Sequence, residues 1–309
     1  MERRTRTADR AAFSAVAPVI AVMPVWALAI AVFWWPASLI WEVSYPAVAL
    51  GYVAGVVLLF VRPVQTWVVV PLLGARLPTR SERVRLETAW RPVTERLGLS
   101  PRRFVLAVLP SDELNAFACG GHLVVVTSFA VDTLPRDELS GVLAHELSHH
   151  LGLHTVGLAL SQWLSMPVLL LARIGFFLQN VAAAATDNFA AHSSSLTALG
   201  RIVAGLLRAV SWVFLAGFVL SSWVSNSAGR DAEFQADART VRMGFGPPLA
   251  MALRRVTGEF GSSRPTTWSE RLSASHPSPR LRVARIEALL RRQVPMGAST
   301  APRTRTSTS

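Results

Sequence analysis

The chain has 309 residues, of which 51% are hydrophobic and only 16% are charged. This balance is unusual for a soluble globular protein and favours a membrane protein. The net charge of +12 is compatible with nucleic acid or a membrane surface, and the apolar runs described next favour the membrane, so no nucleic-acid partner is expected.

Four charge-free apolar runs predict membrane spans. The first, at about 14–36, follows a basic N-terminal segment and is too long for a cleaved secretory signal, so an uncleaved anchor is expected. The runs at 43–61 and 209–229 are also long enough to cross a bilayer of about 30 Å. The run at 155–172 is marginal, and its alternative is a buried core helix.

The distribution of arginine predicts how these spans are oriented. If they cross in turn from an internal N-terminus, 28 of the 31 arginines lie on one face, in residues 1–10, 62–154 and 227–309. Positive charge collects on the cytoplasmic side of membrane proteins. We therefore expect a multi-pass protein of the plasma membrane whose large polar segments are cytoplasmic.

This arrangement predicts one cytoplasmic domain that a membrane hairpin interrupts. The predicted parts are an N-terminal membrane anchor of two spans (1–61), the first part of the catalytic domain (62–154), a membrane hairpin (155–226), the second part of the catalytic domain (227–292) and a disordered tail (293–309).

Within the polar segments, helix and strand patterns follow one another. Thr79 and Glu82 form a capping-box pattern that begins a helix to about residue 97, which Pro92 should kink or divide. Apolar runs at 104–109 and 122–127 predict strands, and the second could pair with an extended substrate if it is an exposed edge. Further helices are predicted at 135–152, at 230–243 and from Pro279, capped by Ser278, to just before 293.

The segment His145-Glu146-Leu147-Ser148-His149 has the HExxH pattern. On a helix, residues four apart share one face, so the two imidazoles can bind one Zn²⁺. Glu146 lies one step round the helix and can reach a water on the metal. An apolar stripe that includes Leu139 and Leu143 supports a buried helix. The alternative is a helix that carries these residues by chance.

A catalytic zinc needs a third protein ligand and one open position. Asp231-Ala232-Glu233-Phe234-Gln235-Ala236-Asp237 follows the fourth apolar run, on the same membrane face as the HExxH pattern. Glu233 is the candidate third ligand, and Asp237 is the candidate acceptor for the outward N–H of a ligating histidine. The alternative is that both are solvated surface acids.

Two further polar residues are candidates for stabilising the transition state. His276 and Arg285 are candidate donors to the oxyanion that forms when water attacks a peptide, because the only tyrosines lie in the membrane anchor. Their alternative roles are a helix cap and a surface ion pair. His150, His154, His192 and Cys119 are expected not to bind the metal.

Three motifs together give a specific resemblance over about residues 80–290. HELSH, the downstream DAEFQAD, and the upstream Asn115-Ala116-Phe117-Ala118 with Gly120-Gly121 resemble the HtpX family of membrane zinc metallopeptidases, whose eukaryotic relatives are the CAAX prenyl proteases. The N-terminal spans carry no motif of that family.

The resemblance implies both a fold and a set of residue roles. The fold is a mainly α integral membrane protein, with about four transmembrane helices and a cytoplasmic α+β zincin-like domain that contains a small sheet. His145, His149 and Glu233 would bind one zinc ion per chain, and Glu146 would be the general base.

The expected function is a membrane-bound zinc-dependent endopeptidase that cleaves membrane or membrane-proximal polypeptides, with protein quality control as one role it could serve. A CAAX-type prenyl-protein protease would need more spans than four. A sensor-transducer protease would need a larger external loop than the 36 residues at 173–208. A non-catalytic membrane scaffold would not need an intact HExxH pattern with Glu233. The oligomeric state stays open.

Overall fold

A computed structural model describes residues 2–152, 154–189, 193–259 and 277–293. The helices are α1 (Glu2–Ser38), α2 (Tyr45–Leu58), α3 (Arg62–Val64), α4 (Val70–Leu72), α5 (Arg80–Arg96), α6 (Ser128–Thr133), α7 (Arg136–Leu151), α8 (His154–Phe189), α9 (Ser194–Arg242), α10 (Gly246–Glu259) and α11 (Pro279–Gln293). A π-helical turn, Gln65–Val69, joins α3 to α4, and a 3₁₀ turn lies at Pro101–Arg103. The strands are β1 (Val105–Leu109), β2 (Ala116–Cys119) and β3 (Leu123–Thr127).

In the described part of the chain, three helical segments are long and apolar enough to cross a membrane. They are Val16–Ser38, Val156–Asn188 and Ser194–Val224. A fourth span is possible if Tyr45–Leu58 and Arg62–Leu72, which are bent by 76° from each other, are counted together. The chain is a mainly α integral membrane protein with a small sheet, as the sequence predicts.

Helices α8 and α9 are much longer than the charge-free runs at 155–172 and 209–229 that predict them. The prediction leaves residues 173–208 as a loop, but α8 continues to Phe189 and α9 begins at Ser194. Charge does not end a helix, because the backbone hydrogen bonds form whichever side chain is present. Arg173, Arg201 and Arg208 therefore lie on helices.

The apolar helices pack into one bundle. Its core consists of Val22, Trp26, Ala29 and Ile30 from α1, Leu164, Val168 and Ala172 from α8, and Phe214 from α9. Helix α2 joins this bundle through Tyr52, whose hydroxyl donates to the carbonyl oxygen of Trp163 at 2.6 Å. Residues of the N-terminal anchor and of the later hairpin thus share a single core.

Helix α5 begins with the predicted capping box. The backbone N–H of Glu82 donates to the Thr79 hydroxyl at 3.4 Å, and the backbone N–H of Thr79 donates to the Glu82 carboxylate at 2.7 Å. Pro92 does not divide the helix. Proline cannot donate to the carbonyl four residues earlier, and that carbonyl, of Thr88, accepts from Arg136 Nε at 3.3 Å instead.

The strand order in the sheet is β1-β3-β2, with β3 parallel to β1 and antiparallel to β2. The prediction that 122–127 is an exposed edge is therefore wrong, because β2, which was not predicted as a strand, pairs with it. The turn between β2 and β3 contains Gly120, whose φ of 59° favours glycine. A Cβ at Gly120 would also overlap the Gln65 side chain.

Helix α7 packs against α5 and the sheet on one hand and against α9 and α10 on the other. Leu139, Leu143 and Leu147 are at most 1% exposed and belong to the main core, which includes Trp90 and Val124. The stripe predicted to bury this helix is thus confirmed from Leu139 to Leu147, about two turns, whereas Leu151 at its end is 45% exposed.

Helix α10 was not predicted, and it packs closely against α7. A Cβ added to Gly141 would lie 2.7 Å from the carbonyl carbon of Pro248, so only glycine fits this approach. The predicted helix at 230–243 is the end of α9 rather than a separate element. The last helix begins at Pro279 as predicted, whereas residues 294–309, predicted to be disordered, lie outside the described residues.

Candidate metal centre

Helix α7 places the two histidines of the HExxH pattern side by side. His145 and His149 lie four residues apart on its buried face and are 3% and 9% exposed. Their Nε2 atoms are 3.2 Å apart. Two buried imidazole nitrogens that face each other at this distance can share a cation as ligands.

Helix α9 brings Glu233 to the same point. Glu233 Oε2 lies 3.3 Å from His145 Nε2, and Oε1 lies 3.1 Å from His149 Nε2. In the part of the chain that the structure describes, these three residues form the group that could hold a metal ion. The three residues predicted as metal ligands from the sequence are therefore close together.

The spacing of the donor atoms fits a small tetrahedral cation. Bonds of about 2.0–2.1 Å to a tetrahedral ion place neighbouring ligand atoms about 3.3 Å apart. The 3.2 Å between the two histidine Nε2 atoms agrees with that value, and each Nε2 atom has one of the two Glu233 oxygens at 3.1 or 3.3 Å. Three ligands of this kind leave the fourth corner of the tetrahedron for water or substrate.

Asp237 lies behind His145, as predicted. Its Oδ1 atom is 3.1 Å from His145 Nδ1, and its side chain is fully buried. Donation from Nδ1–H to this carboxylate leaves Nε2 free to bind a metal. Burial raises the pKa of Asp237, but the hydrogen bonds from His145 and Arg282 outweigh burial and lower the pKa below its ordinary value.

Arg282 is the site residue that the sequence analysis missed. It is 7% exposed, and its Nε and Nη2 atoms donate to Asp237 Oδ2 and Oδ1 at 3.1 and 2.7 Å. Its Nη2 atom also lies within 3.2 Å of both ring nitrogens of His145, and Nη1 lies 3.4 Å from Glu233 Oε2. The spacing to Ile286, buried four residues later, could have identified Arg282 as facing inwards.

The two predicted oxyanion donors are not among the residues in contact with this cluster in the described chain. Arg285 is exposed, and its guanidinium carbon lies 4.1 Å from the centre of the Phe234 ring. His276 lies outside the described residues. Arg282, one helical turn before Arg285, is the arginine that contacts the cluster.

The formal charges of the site also fit a divalent cation. Three acids, Glu146, Glu233 and Asp237, are buried at the site, and the buried Arg282 contacts two of them, Glu233 and Asp237. Burial, and then the charge of Arg282, lower the pKa of His145, but hydrogen bonds to Asp237 and Glu233 outweigh both and raise it to about 9.

Other possible ligands have different surroundings. His150 Nε2 lies 3.0 Å from the carbonyl oxygen of Leu123, and burial lowers the pKa of His150 to about 4. Burial raises the pKa of the Cys119 thiol to about 11, so this thiol is protonated at neutral pH. The His154 side chain and His192 lie outside the described residues.

Comparison with known proteins adds independent findings. Residues 80–290 match the profile of "Peptidase family M48". A "Protease HtpX homolog" of Acidiphilium cryptum is 27% identical over 243 residues, which cover 71% of this chain and 78% of the relative. A "Protease HtpX homolog" of Desulfotalea psychrophila is 31% identical over 204 residues, which cover 60% and 67% of the two chains.

A solved structure shares the fold. The crystal structure of S. mikatae Ste24p matches with a TM-score of 0.50 and 17% sequence identity. The match covers 83% of this chain and 61% of that chain. At this identity the likeness concerns the fold alone.

Proposed function

The chain belongs to peptidase family M48, and from this premise we propose that this membrane metallopeptidase is a zinc-dependent endopeptidase. The observation that carries the proposal is the buried group of His145, His149 and Glu233, whose ligand atoms lie within 4.8 Å of one another. These three residues would hold one Zn²⁺ per chain. When bound, zinc lowers the pKa of a water ligand to about 7 and polarises a carbonyl group.

Glu146 is the proposed general base. It follows His145 directly, is buried, and belongs to the same helix, α7. In this role its carboxylate takes the proton of the attacking water and then gives it to the leaving amine. Such proton transfer contributes about 10²–10⁴ to the rate.

Asp237 and Arg282 are proposed to position the site. Asp237 holds the tautomer and orientation of His145, and Arg282 holds Asp237 through two hydrogen bonds. His276 remains a proposed oxyanion donor from the sequence. Arg282 takes the place of Arg285 in this proposal, because its guanidinium lies beside the donor atoms of the centre, whereas Arg285 is exposed and lies over Phe234.

The proposed substrates are membrane or membrane-proximal polypeptides. Glu233 lies on α9 nine residues beyond Val224, where the apolar span ends, which is about 14 Å along a helix. Strand β2 replaces β3 as the edge that could pair with an extended substrate, because β3 is central.

The catalytic residues are proposed to lie on the cytoplasmic side of the plasma membrane, since 28 of 31 arginines accompany them on one face. A reporter that is active only in the cytoplasm should be active when fused after Ser309 and inactive when inserted at 190–192. An inactive fusion at Ser309 together with an active insertion at 190–192 would reverse the orientation.

The decisive experiment compares Glu146→Gln with wild type in the purified full chain. The variant should keep one zinc per chain and lose peptide cleavage by about 10²–10⁴, because only proton transfer is removed. His149→Ala should lose zinc and cleavage together. Asp137→Asn, which changes an exposed acid on the same helix, is the control and should change neither.

Zinc is measured by elemental analysis, and cleavage by N-terminal sequencing of products released from membrane-protein substrates. Full cleavage by Glu146→Gln would refute the assignment of the base. A wild-type chain that binds zinc but releases no product would support a scaffold instead.

A further inference from the structure

A basic groove of about 830 Å³ lies apart from the metal centre. It is formed by α5, the turn Pro101–Arg103, strand β1 and the start of the segment Arg62–Leu72. Its lining includes four arginines and one acid: Arg62, Arg83, Arg91, Arg102 and Glu87. None of the metal-centre residues lines it.

The two acids Glu87 and Glu95 offset part of this positive charge, and three of the four arginines form no ion pair within the described residues. Arg91 donates to Glu95 at 2.7 Å. Within the described part of the chain, Arg62, Arg83 and Arg102 form no ion pair. Exposed cations that converge on a groove without carboxylate partners attract an anion.

The floor of the groove is apolar. Arg83, Glu87 and Arg91 are spaced by four residues and so lie along one face of α5. Leu86 and Trp90, between them, are buried and offer almost no surface, whereas Leu77, which also lines the groove, is 42% exposed. The groove therefore combines a basic rim with an apolar base, which suits an amphipathic anion better than a small inorganic one.

One end of the groove, at Arg62, is close to the apolar helix α2. Arg62 is four residues beyond Leu58, where α2 ends, and an extended chain of four residues spans about 14 Å at most. Hydrogen bonds of 3.0 Å from the Phe60 and Val61 N–H groups fold this connection into a turn, so the actual distance is shorter. The polar layer of one leaflet is about 5–8 Å thick.

The segment Arg62–Leu72 has the character of an interfacial helix. It is bent by 76° from α2, so if α2 crosses the membrane the segment lies near the membrane plane. Trp67, Val68 and Leu72 are 75%, 49% and 63% exposed on one side of it. Apolar residues and tryptophan on an exposed face are typical of helices at the lipid headgroup level.

We propose that the groove binds the headgroup of an anionic phospholipid. In this proposal the arginines contact the phosphate, and the exposed Trp67, Val68 and Leu72 hold the neighbouring helical segment in the lipid layer. Basic residues next to a membrane attract anionic lipids, with about a fivefold gain in affinity for each one. This site requires only that the chain is embedded in a membrane, and it does not depend on peptidase activity.

The test uses the detergent-solubilised full chain. Lipid adducts are counted by native mass spectrometry during titration with phosphatidylglycerol or with phosphatidylcholine of the same acyl chains. The groove variant is Arg62→Gln with Arg102→Gln. The control, Arg96→Gln with Arg292→Gln, removes the same charge at exposed positions outside the groove.

We expect wild type and the control to prefer phosphatidylglycerol, and the groove variant to bind it about 25-fold more weakly. If the double variant does not fold, as judged by its thermal transition, Arg102→Gln alone should give about a fivefold loss. Equal binding of the two lipids would overturn the proposal, as would equal loss in groove variant and control. Displacement of the lipid by an equal concentration of inorganic phosphate or of polyglutamate would instead indicate a free-anion or acidic-peptide site and would overturn it.

Discussion

Asp237→Asn tests how the metal centre is held together. Asparagine keeps the size of the side chain but removes its charge and one of the two oxygens that accept from Arg282. Loss of a carboxylate that orients a ligating histidine typically weakens metal binding by about 10–100-fold. Removing one partner of a buried ion pair costs about 3–5 kcal/mol. Because Glu233 Oε2 still lies 3.4 Å from Arg282 Nη1, we expect the lower end, about 3 kcal/mol.

Two measurements on one preparation check both numbers. Zinc affinity is measured by competition with a chelator, and stability by the thermal transition of the zinc-free, detergent-solubilised chain. Asp231→Asn is the matched control, because Asp231 is an exposed acid on the same helix, six residues earlier. If Asp237→Asn has the zinc affinity and thermal stability of Asp231→Asn, the reasoning about Asp237 is refuted.

Two further predictions concern stability. The ion pair with Arg76, and then the Thr79 cap, lower the pKa of Glu82 to about 2 against the effect of burial, so Glu82 stabilises the fold above pH 4.5 and this contribution is lost as the pH falls towards 2. Glu82→Gln should therefore lower the free energy of unfolding by about 1–3 kcal/mol at pH 7, since Arg76 is partly exposed, and by almost nothing at pH 2. A difference in thermal transition that stays constant across this pH range would contradict the prediction. Gly141→Ala should lower the free energy of unfolding by at least about 1–3 kcal/mol, because the added Cβ would overlap the Leu249 backbone. The control is Gly55→Ala, which has open space around it and should not lower the thermal transition. Equal thermal transitions for the two variants would refute the clash.

The parts of the fold that sequence could predict are those set by local chemistry. The capping box at Thr79 was predicted because side chains there satisfy the backbone groups at the helix end. The start of the last helix at Pro279 was predicted because proline favours the first position of a helix. Strand β2 was missed because its four residues are only half-buried and show no alternation. The position of β3 in the sheet depends on pairing with β2, so missing β2 led directly to the wrong edge.

The proximity of His145 and His149 was predictable for the same reason, and the surroundings of this pair were not. The spacing of His145 and His149 is a property of one helix turn. Arg282 reaches the site only because α11 packs against α9. Its partner on α9, Asp237, lies 45 residues earlier in the chain. The sequence predicted Arg285 as an oxyanion donor, but the register of α11 places its guanidinium outside the site, over the Phe234 ring.

The two halves of the metal centre are connected through the membrane bundle. Helix α7, with His145, ends at Leu151, and α8 begins three residues later at His154. Glu233 lies on α9, the same continuous helix that contains the span Ser194–Val224. A rigid helix fixes both the height and the rotation of Glu233 relative to the span, since each residue advances about 1.5 Å and turns about 100°. The packing of α8 against α9 therefore helps to set the distance between the histidines and the glutamate, so the membrane bundle is part of what forms the site.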